Sequence, residues 1–353
     1  MTKKLAPPKA RPFTPKDVRL GLTQAEDVAH PLRWGIMGTG EICRQFVCAA
    51  REVPGATIAG VASRSAENAH EFAQTHGVAK AFDRYEDLIA DPDLDIVYVG
   101  TPDAVHKAHT LLALEAGKHV LCEKALATTV ADAQEMYAAA KQQGVMLQDG
   151  VWSRFFPAVE HARHLIEEGA IGDVVMVQAD FDALYTGQVV TMAYGADAKP
   201  VDIKVSGKQG GPGGAIIEFA DNRFAVLTFI AFPSEFPEVF EITGTKGRIT
   251  LEQPGHCPTA LTVRIPPVTP SRYLGGNTPS PMQCFEYPLP DSIRMPQPFP
   301  NQQGFYYMVE AIHRCLAAGL RECPQFGRAE SIHLMELVCA IQDLRGQNPA
   351  LEL

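Results

Sequence analysis

Residues 32–43 read LRWGIMGTGEIC, and the fold turns on how this stretch is read. Its first half is a short apolar run with the composition of a buried strand. That run enters Gly38-Thr39-Gly40 and continues into Glu41-Ile42-Cys43, where a helical pattern starts. Glycines at 38 and 40 permit a tight turn and a close approach of backbone to a pyrophosphate, which the positive end of a helix favours. The third position of the dinucleotide fingerprint is Cys43, small but not glycine. In isolation the pattern also describes an ordinary strand-to-helix turn, so its place in the chain has to decide.

That place is the start of a regular alternation. Strand-like runs occur at LRWGIM (32–37), TIAGVAS (57–63), DIVYVG (95–100), HVLC (119–122) and VMLQ (145–148). Between them stand amphipathic stretches such as AENAHEFAQTHG, AVHKAHTLLALEAG and VADAQEMYAAAKQQG, with glycines suited to helix C-termini. The rhythm predicts a doubly wound parallel sheet of the Rossmann type over 32–152. After Trp152 the rhythm changes. One helix (157–169) leads into VVMVQADF, and AIIEFA, FAVLTFIAF, VFEITGT, GRITLEQ and LTVRIP follow as strand-like runs, with ADN and TKG as hairpin turns. The expected fold class is therefore α/β with a second, α+β domain over 153–353, built on a largely antiparallel open sheet. Two helices, 304–319 and 327–345, close it. The proline-rich stretch 265–303 is long for a loop and is expected to be functional or to lie at an interface.

Composition narrows the ligand class. The chain of 353 residues is long enough for two cores, and its net charge of −10 argues against a nucleic acid or anionic membrane surface as partner. A small-molecule ligand is expected instead. Eight cysteines are scattered without a CxxC pair or clustered histidines, so neither a metal site nor a disulfide framework is suggested and a reducing, cytoplasmic setting is the expectation. Residues 1–31, rich in proline and basic side chains, read as a flexible tail. Asp17, Glu26 and Asp27 and the shortage of serine weaken an organelle-targeting reading.

Two strand ends carry chemistry. At the end of the second strand an NAD site places an acidic residue for the ribose hydroxyls, whereas this chain has Ser63-Arg64-Ser65. An arginine flanked by hydroxyls suits a 2′-phosphate, which favours NADP over NAD, although Arg64 also reads as a surface residue opening a helix. At the end of the run HVLC stand Glu123 and Lys124. A charged pair there packs poorly but lies where open α/β sheets bind ligands.

With these motifs in place, GIMGTGEI and VYVGTPDAVHKAHTLLALEAGKHVLCEKALA resemble the Gfo/Idh/MocA oxidoreductase family. The later runs VWSRFFPAVEHARHLIEEGAIGDV, ITGTKGRITLEQPGHCPTALTV and FPNQQGFYYMVEAIHRC are similar to its dihydrodiol dehydrogenase and NADP-dependent D-xylose dehydrogenase branch. The resemblance implies that Gly38, Thr39, Gly40, Glu41, Ile42, Ser63, Arg64, Ser65, Thr101, Pro102, His106, Glu123 and Lys124 hold the cofactor. It implies Lys124 and Tyr185 as the catalytic residues, and Phe155, Phe156 and Phe299 as aromatic pocket positions. In such an enzyme a tyrosine accepts the alcohol proton while hydride leaves, with the Lys124 ammonium supporting the phenolate and the reacting oxygen. Tyr185 could equally be packed at a domain junction. A homodimer or higher homo-oligomer through the C-terminal sheet is also implied, as is a cleft between the domains with Lys124 on its floor.

The chain departs from the pattern in three places. Ala125 replaces the proline of the EKP motif. A glycine-bearing segment before Tyr185 is missing, and Phe181 stands where the family has an aspartate, with Asp180 and Asp182 beside it. His256 occupies a pocket tryptophan position, where it either binds hydroxyls or merely sits in a loop; Trp152 and Arg154 either line the site or tie the domains together. The leading expectation is an NADP-dependent oxidoreductase acting on a secondary hydroxyl of a sugar or cyclic diol. The alternative is an NADP-binding sensor that has lost efficient turnover with the missing segment.

Overall fold

The computed structural model describes residues 31–230, 236–266, 280–295 and 299–347. The expected tail at 1–31 lies, up to residue 30, outside the described residues, as do 267–279 and 296–298 of the proline-rich stretch. Two compact units are present. The first comprises residues 31–152, 290–295 and 302–328; the second comprises the described residues of 153–289, 299–301 and 329–347.

The first unit holds a six-stranded sheet in the order β3-β2-β1-β4-β5-β6, every neighbouring pair parallel. Its strands are β1 (Leu32–Met37), β2 (Ala56–Ala62), β3 (Lys80–Phe82), β4 (Ile96–Val99), β5 (His119–Glu123) and β6 (Leu147–Gly150). Helices α1 (Glu41–Ala50), α2 (Ala66–His76), α3 (Tyr85–Ala90), α4 (His106–Glu115) and α5 (Val130–Gln143) connect them. Strand β4 is buried at every residue, which is why it reads as a continuous apolar run rather than as an alternation; β6 is equally buried but carries the polar Gln148 and Asp149. Short KAF at β3 gave no such run and is visible only through its pairing with Gly60–Ala62 of β2. Strand β5 extends one residue beyond HVLC to include Glu123, and β6 starts two residues later than VMLQ suggests.

Helix α8 (Phe305–Ala317) belongs to this first unit, not to the second domain in which its sequence position placed it. The reason is aromatic packing. Phe46 of α1 stacks flat on Tyr98 of β4 with centroids 3.7 Å apart and meets Phe305 edge-on, while Phe305 stacks on Trp152 at 4.9 Å. Trp34 is fully buried in β1, and its indole N–H donates to Nε2 of His313 on α8 over 3.2 Å. A buried donor left unmatched costs about 1–3 kcal/mol, so His313 is tied to the strand by polarity as well as by its stack on the indole.

The second unit carries an eight-stranded sheet in the order β14-β13-β12-β11-β7-β10-β9-β8. Its strands are β7 (Val174–Phe181), β8 (Pro200–Ser206), β9 (Gly213–Phe219), β10 (Phe224–Phe229), β11 (Phe240–Gly244), β12 (Arg248–Leu251), β13 (Ala260–Arg264) and β14 (Met282–Glu286). Pairing is antiparallel except between β7 and β10, which run parallel at the centre. The turn ADN does join an antiparallel pair, with Asp221 and Asn222 both in the left-handed region as a two-residue hairpin turn requires. Strands β8 and β14 were not evident in the sequence: both are edge strands, β8 mostly exposed and β14 within the proline-rich stretch. Helices α6 (Pro157–Glu167), α7 (Ala183–Tyr194) and α9 (Arg328–Gln347) complete the unit. Among the described residues no helix is long and apolar enough to cross a membrane.

Candidate functional site

In the first unit the order of strands reverses at β1 and β4, and the turns leaving these two strands lie side by side. Gly38 has φ +115°, and a Cβ there would stand 2.9 Å from the Gly100 carbonyl oxygen, so neither conformation nor space admits another residue. Gly100 is constrained in turn: its Cβ would lie 2.4 Å from the Cys43 sulfur, whose S–H donates to the Gly100 carbonyl over 3.3 Å. The fingerprint's third position is thus filled by a small side chain that joins the two turns. Gly40 is the N-cap of α1, has no side-chain cap, and would present a Cβ to open space. The first-turn amides of α1 therefore face a clear approach with no side chain competing for them, and a pyrophosphate fits there. Thr39 is half-buried with its hydroxyl 3.5 Å from that of Ser63, Glu41 accepts from Gln45 at 3.0 Å, and Ile42 is half-buried on α1.

At the end of β2 the Ser63 hydroxyl accepts the Ser65 N–H (3.3 Å), and Ser65 caps α2 by accepting the Asn68 N–H (3.2 Å). Arg64 is left exposed between them. Two residues absent from the sequence-based list stand next to it. Burial pushes the Tyr85 hydroxyl up while the Arg64 guanidinium opposes the shift, and burial together with His106 and Arg64 holds His109 below the usual histidine range. The Tyr85 and His109 rings meet edge-on at 4.6 Å, and the Thr101 hydroxyl lies 2.9 Å from His109 Nδ1. Arg64, Tyr85, His109 and Thr101 come from three separate strand ends, which is why no local motif announced them together.

Glu123 ends β5 with its carboxylate buried. The Tyr98 hydroxyl donates to Oε1 over 2.8 Å, and the Lys124 N–H donates to Oε2 over 3.2 Å. Burial pushes the Glu123 carboxyl above the usual range, against the support that Tyr98 and the Lys124 ammonium give its anion. Lys124 itself is half-buried at the carboxyl edge of the sheet. The Lys124–Ala125 peptide is cis. His106 is buried with Nδ1 2.8 Å from the Ala125 oxygen and Nε2 2.7 Å from the Thr101 oxygen, so it links the turn after β4 to the turn after β5. Pro102 is exposed in the first of those turns, and Trp152 is buried in the stack on Phe305.

In the second unit β7 ends at Phe181, Asp182 caps α7 by accepting the Tyr185 N–H (2.7 Å), and Tyr185 sits in the first turn of that helix, nearly buried. Asp180 pairs with the Thr228 hydroxyl on the neighbouring strand, so both acidic residues beside Phe181 have local partners. Phe181 stacks on His256 at 4.7 Å and on Phe236 at 5.7 Å, and it meets Tyr185 at 5.3 Å. His256 contacts the Tyr185 ring at 5.2 Å and pairs through Nδ1 with Glu238, a residue that sequence reasoning missed. Arg154 is fully buried, donating to Glu330 (2.9 Å) and to the Gln188 carbonyl (3.2 Å). Phe155 and Phe156 are buried as well, whereas Phe299 is 51% exposed.

Comparison with known proteins agrees with this architecture. Residues 32–151 match the family described as an oxidoreductase family with an NAD-binding Rossmann fold. A trans-1,2-dihydrobenzene-1,2-diol dehydrogenase from Danio rerio is 34% identical over 338 residues, covering 87% of this chain and 95% of that protein. Two solved structures share the fold. A levoglucosan dehydrogenase in complex with NADH and levoglucosan superposes with a TM-score of 0.75 at 20% identity, over 90% of this chain and 98% of that one. A 3-ketoreductase from Actinomadura kijaniata in complex with NADP gives 0.70 at 21% identity, over 89% and 97%. With a parallel Rossmann sheet in one unit and a mixed sheet in the other, the chain is an NAD(P)-dependent dehydrogenase or reductase and belongs to the Gfo/Idh/MocA oxidoreductase family.

Proposed function

We propose that the protein is an NADP-dependent oxidoreductase that interconverts a secondary hydroxyl and a carbonyl on a sugar or cyclic diol. The observation that carries this reading is Lys124, presented at the carboxyl edge of the same sheet whose first strand leads into the uncapped N-terminus of α1. When bound, the nicotinamide supplies the hydride exchange. The chain's own residues do the rest. Lys124 stabilises charge on the reacting oxygen, Tyr185 carries the proton, and the buried Glu123 holds the Lys124 backbone through its N–H. The diol named for the Danio rerio relative and the levoglucosan bound in the solved structure support hydroxyl-rich ring substrates.

The preference for NADP rests on Arg64, exposed beside the two serine hydroxyls at the end of β2. Titrating the protein with NADPH and NADH by fluorescence, then following absorbance with a panel of aldoses and cyclic diols, tests the whole reading. Arg64→Ala is expected to weaken NADPH binding by about 1.5–3 kcal/mol, the value of hydrogen bonds to a charged group, and to leave NADH nearly unchanged. Equal losses for both would remove the phosphate assignment. Tight NADPH binding with no turnover on any polyol would instead support an NADP-binding sensor.

The second sheet is proposed as the surface of a homodimer or larger homo-oligomer. Ile216 on β9 and Phe224 on β10 are 46% and 37% exposed on it, and covering such a face removes apolar area from water. Sedimentation at micromolar concentration should show a species heavier than the 38.3 kDa chain; a lone monomer would contradict this.

A further inference from the structure

We propose that Glu238 and His256 form a pair that serves Tyr185. The pair would stack the phenol in place and, with a proton held on the imidazole against the buried carboxylate, support the phenolate during alcohol oxidation. The inference rests on the reading of Tyr185 as the proton carrier and deepens it by naming residues that act through it.

The arrangement is local to the second unit. Glu238 precedes β11, His256 lies in the turn between β12 and β13, and Tyr185 comes from α7, so three separate elements meet. The side chains of His256 and Glu238 are only 12% and 8% exposed. Oε1 of Glu238 receives both the His256 backbone N–H (3.2 Å) and the ring Nδ1–H, which fixes the ring's orientation and points the Nδ1 hydrogen at the carboxylate. The ring is then clamped from the other side by Phe181 at 4.7 Å and reaches Tyr185 at 5.2 Å. A protonated imidazole whose ring stands beside the Tyr185 ring, centroids 5.2 Å apart, favours the phenolate form by Coulomb attraction in a partly buried setting.

Backbone geometry at the same spot is unusual. Glu238 has φ +41° and Asn301 has φ +52°, both in the left-handed region although neither is glycine. Each is engaged with the same turn: the Gly255 N–H donates to the Glu238 carbonyl (3.0 Å), and the Asn301 carboxamide donates to the Cys257 carbonyl (2.8 Å). Unfavourable backbone conformations that converge on one turn persist when the surrounding structure needs that turn placed.

Among the described residues, titratable groups facing the ring include Glu238 from the segment before β11, Tyr185 from α7, and Cys257, whose sulfur is 3.3 Å from Nε2. Burial pushes the Cys257 thiol up, so it remains a neutral neighbour. In the oxidation, the carbinol O–H bond breaks and its proton passes to the Tyr185 oxygen, while the C–H electron pair leaves as hydride for the oxidised nicotinamide. The imidazole exchanges nothing with the substrate and keeps its proton.

The test compares pH profiles of kcat/KM for the parent, His256→Phe, which keeps the stack on Phe181, and Glu238→Gln, which keeps a hydrogen-bonding side chain without the charge. Near-ultraviolet circular dichroism and NADPH titration accompany each variant to confirm folding. Both variants are expected to move the acid limb of the oxidation profile to higher pH by about one unit, a roughly tenfold loss on the rising limb, with NADPH affinity unchanged. His256→Lys, which restores a cation, should recover part of that shift. Folded variants whose profiles superpose on the parent's, or fall equally at every pH, would overturn the inference while leaving Tyr185 as the proton carrier. A parent that binds NADPH and turns over no polyol would overturn the functional reading, and this inference with it.

Discussion

Tyr185→Phe is expected to lower the turnover number by about 10²- to 10⁴-fold while NADPH binding stays unchanged, the range for loss of a positioned acid–base group. The substitution removes one oxygen and little else. The Tyr185 ring is nearly buried against Phe181 and His256, contacts that phenylalanine reproduces, and the helix cap at Asp182 binds the backbone N–H rather than the hydroxyl. A drop in kcat and kcat/KM together would mark an interaction made at the transition state; a change confined to KM would mark a hydroxyl that only holds substrate. A phenylalanine variant with undiminished turnover would remove Tyr185 from the mechanism.

Lys124→Met should cost about 10²- to 10³-fold in turnover, by analogy with loss of one charge-stabilising donor from an oxyanion site. Methionine keeps the unbranched stem and discards the ammonium. The main-chain N–H of residue 124 still donates to Glu123, whose carboxylate remains held by Tyr98, so the strand end should persist. Losing the ammonium also leaves the buried Glu123 carboxylate with less opposing charge, which raises the Glu123 carboxyl further. Stopped-flow measurement of the first turnover separates the chemical step from NADPH release. A full-rate hydride step in the methionine variant would show that Lys124 only contributes to binding.

Much of the first unit was legible in the sequence because its signals are local. LRWGIM is β1 to the residue, and the turn after it is the glycine turn that its spacing describes. In a parallel sheet covered on both faces the inner strands are near-continuous apolar runs, so pattern finds β1, β2, β4 and β5, whereas KAF at β3 and LQDG at β6 carry no such run. Glu123 and Lys124 stood out for the complementary reason: charge at the end of such a run is costly to bury and so is conspicuous.

Other features depend on contacts between distant positions. Residue order assigned α8 to the second domain, but Phe305 and His313 seat it on Phe46, Trp152 and Trp34 of the first unit. Trp152 and Arg154, ambiguous in the sequence, have partners within their own units: the indole on Phe305, the guanidinium on Glu330 and the Gln188 carbonyl. Tyr98 read as one more strand residue until folding put its hydroxyl on Glu123, 25 positions away. Glu238 and His256 are 18 positions apart across β11 and β12, with nothing in either neighbourhood to link them. Local sequence, then, determined most of the strands, the glycine turn and the charged strand end, since periodicity and turn chemistry act over a few residues. Only the tertiary structure decided which side chains share a buried polar contact, because the cost of burying a charge or a donor is met by whichever partner the folded chain brings within 3 Å, and sequence spacing does not specify that partner.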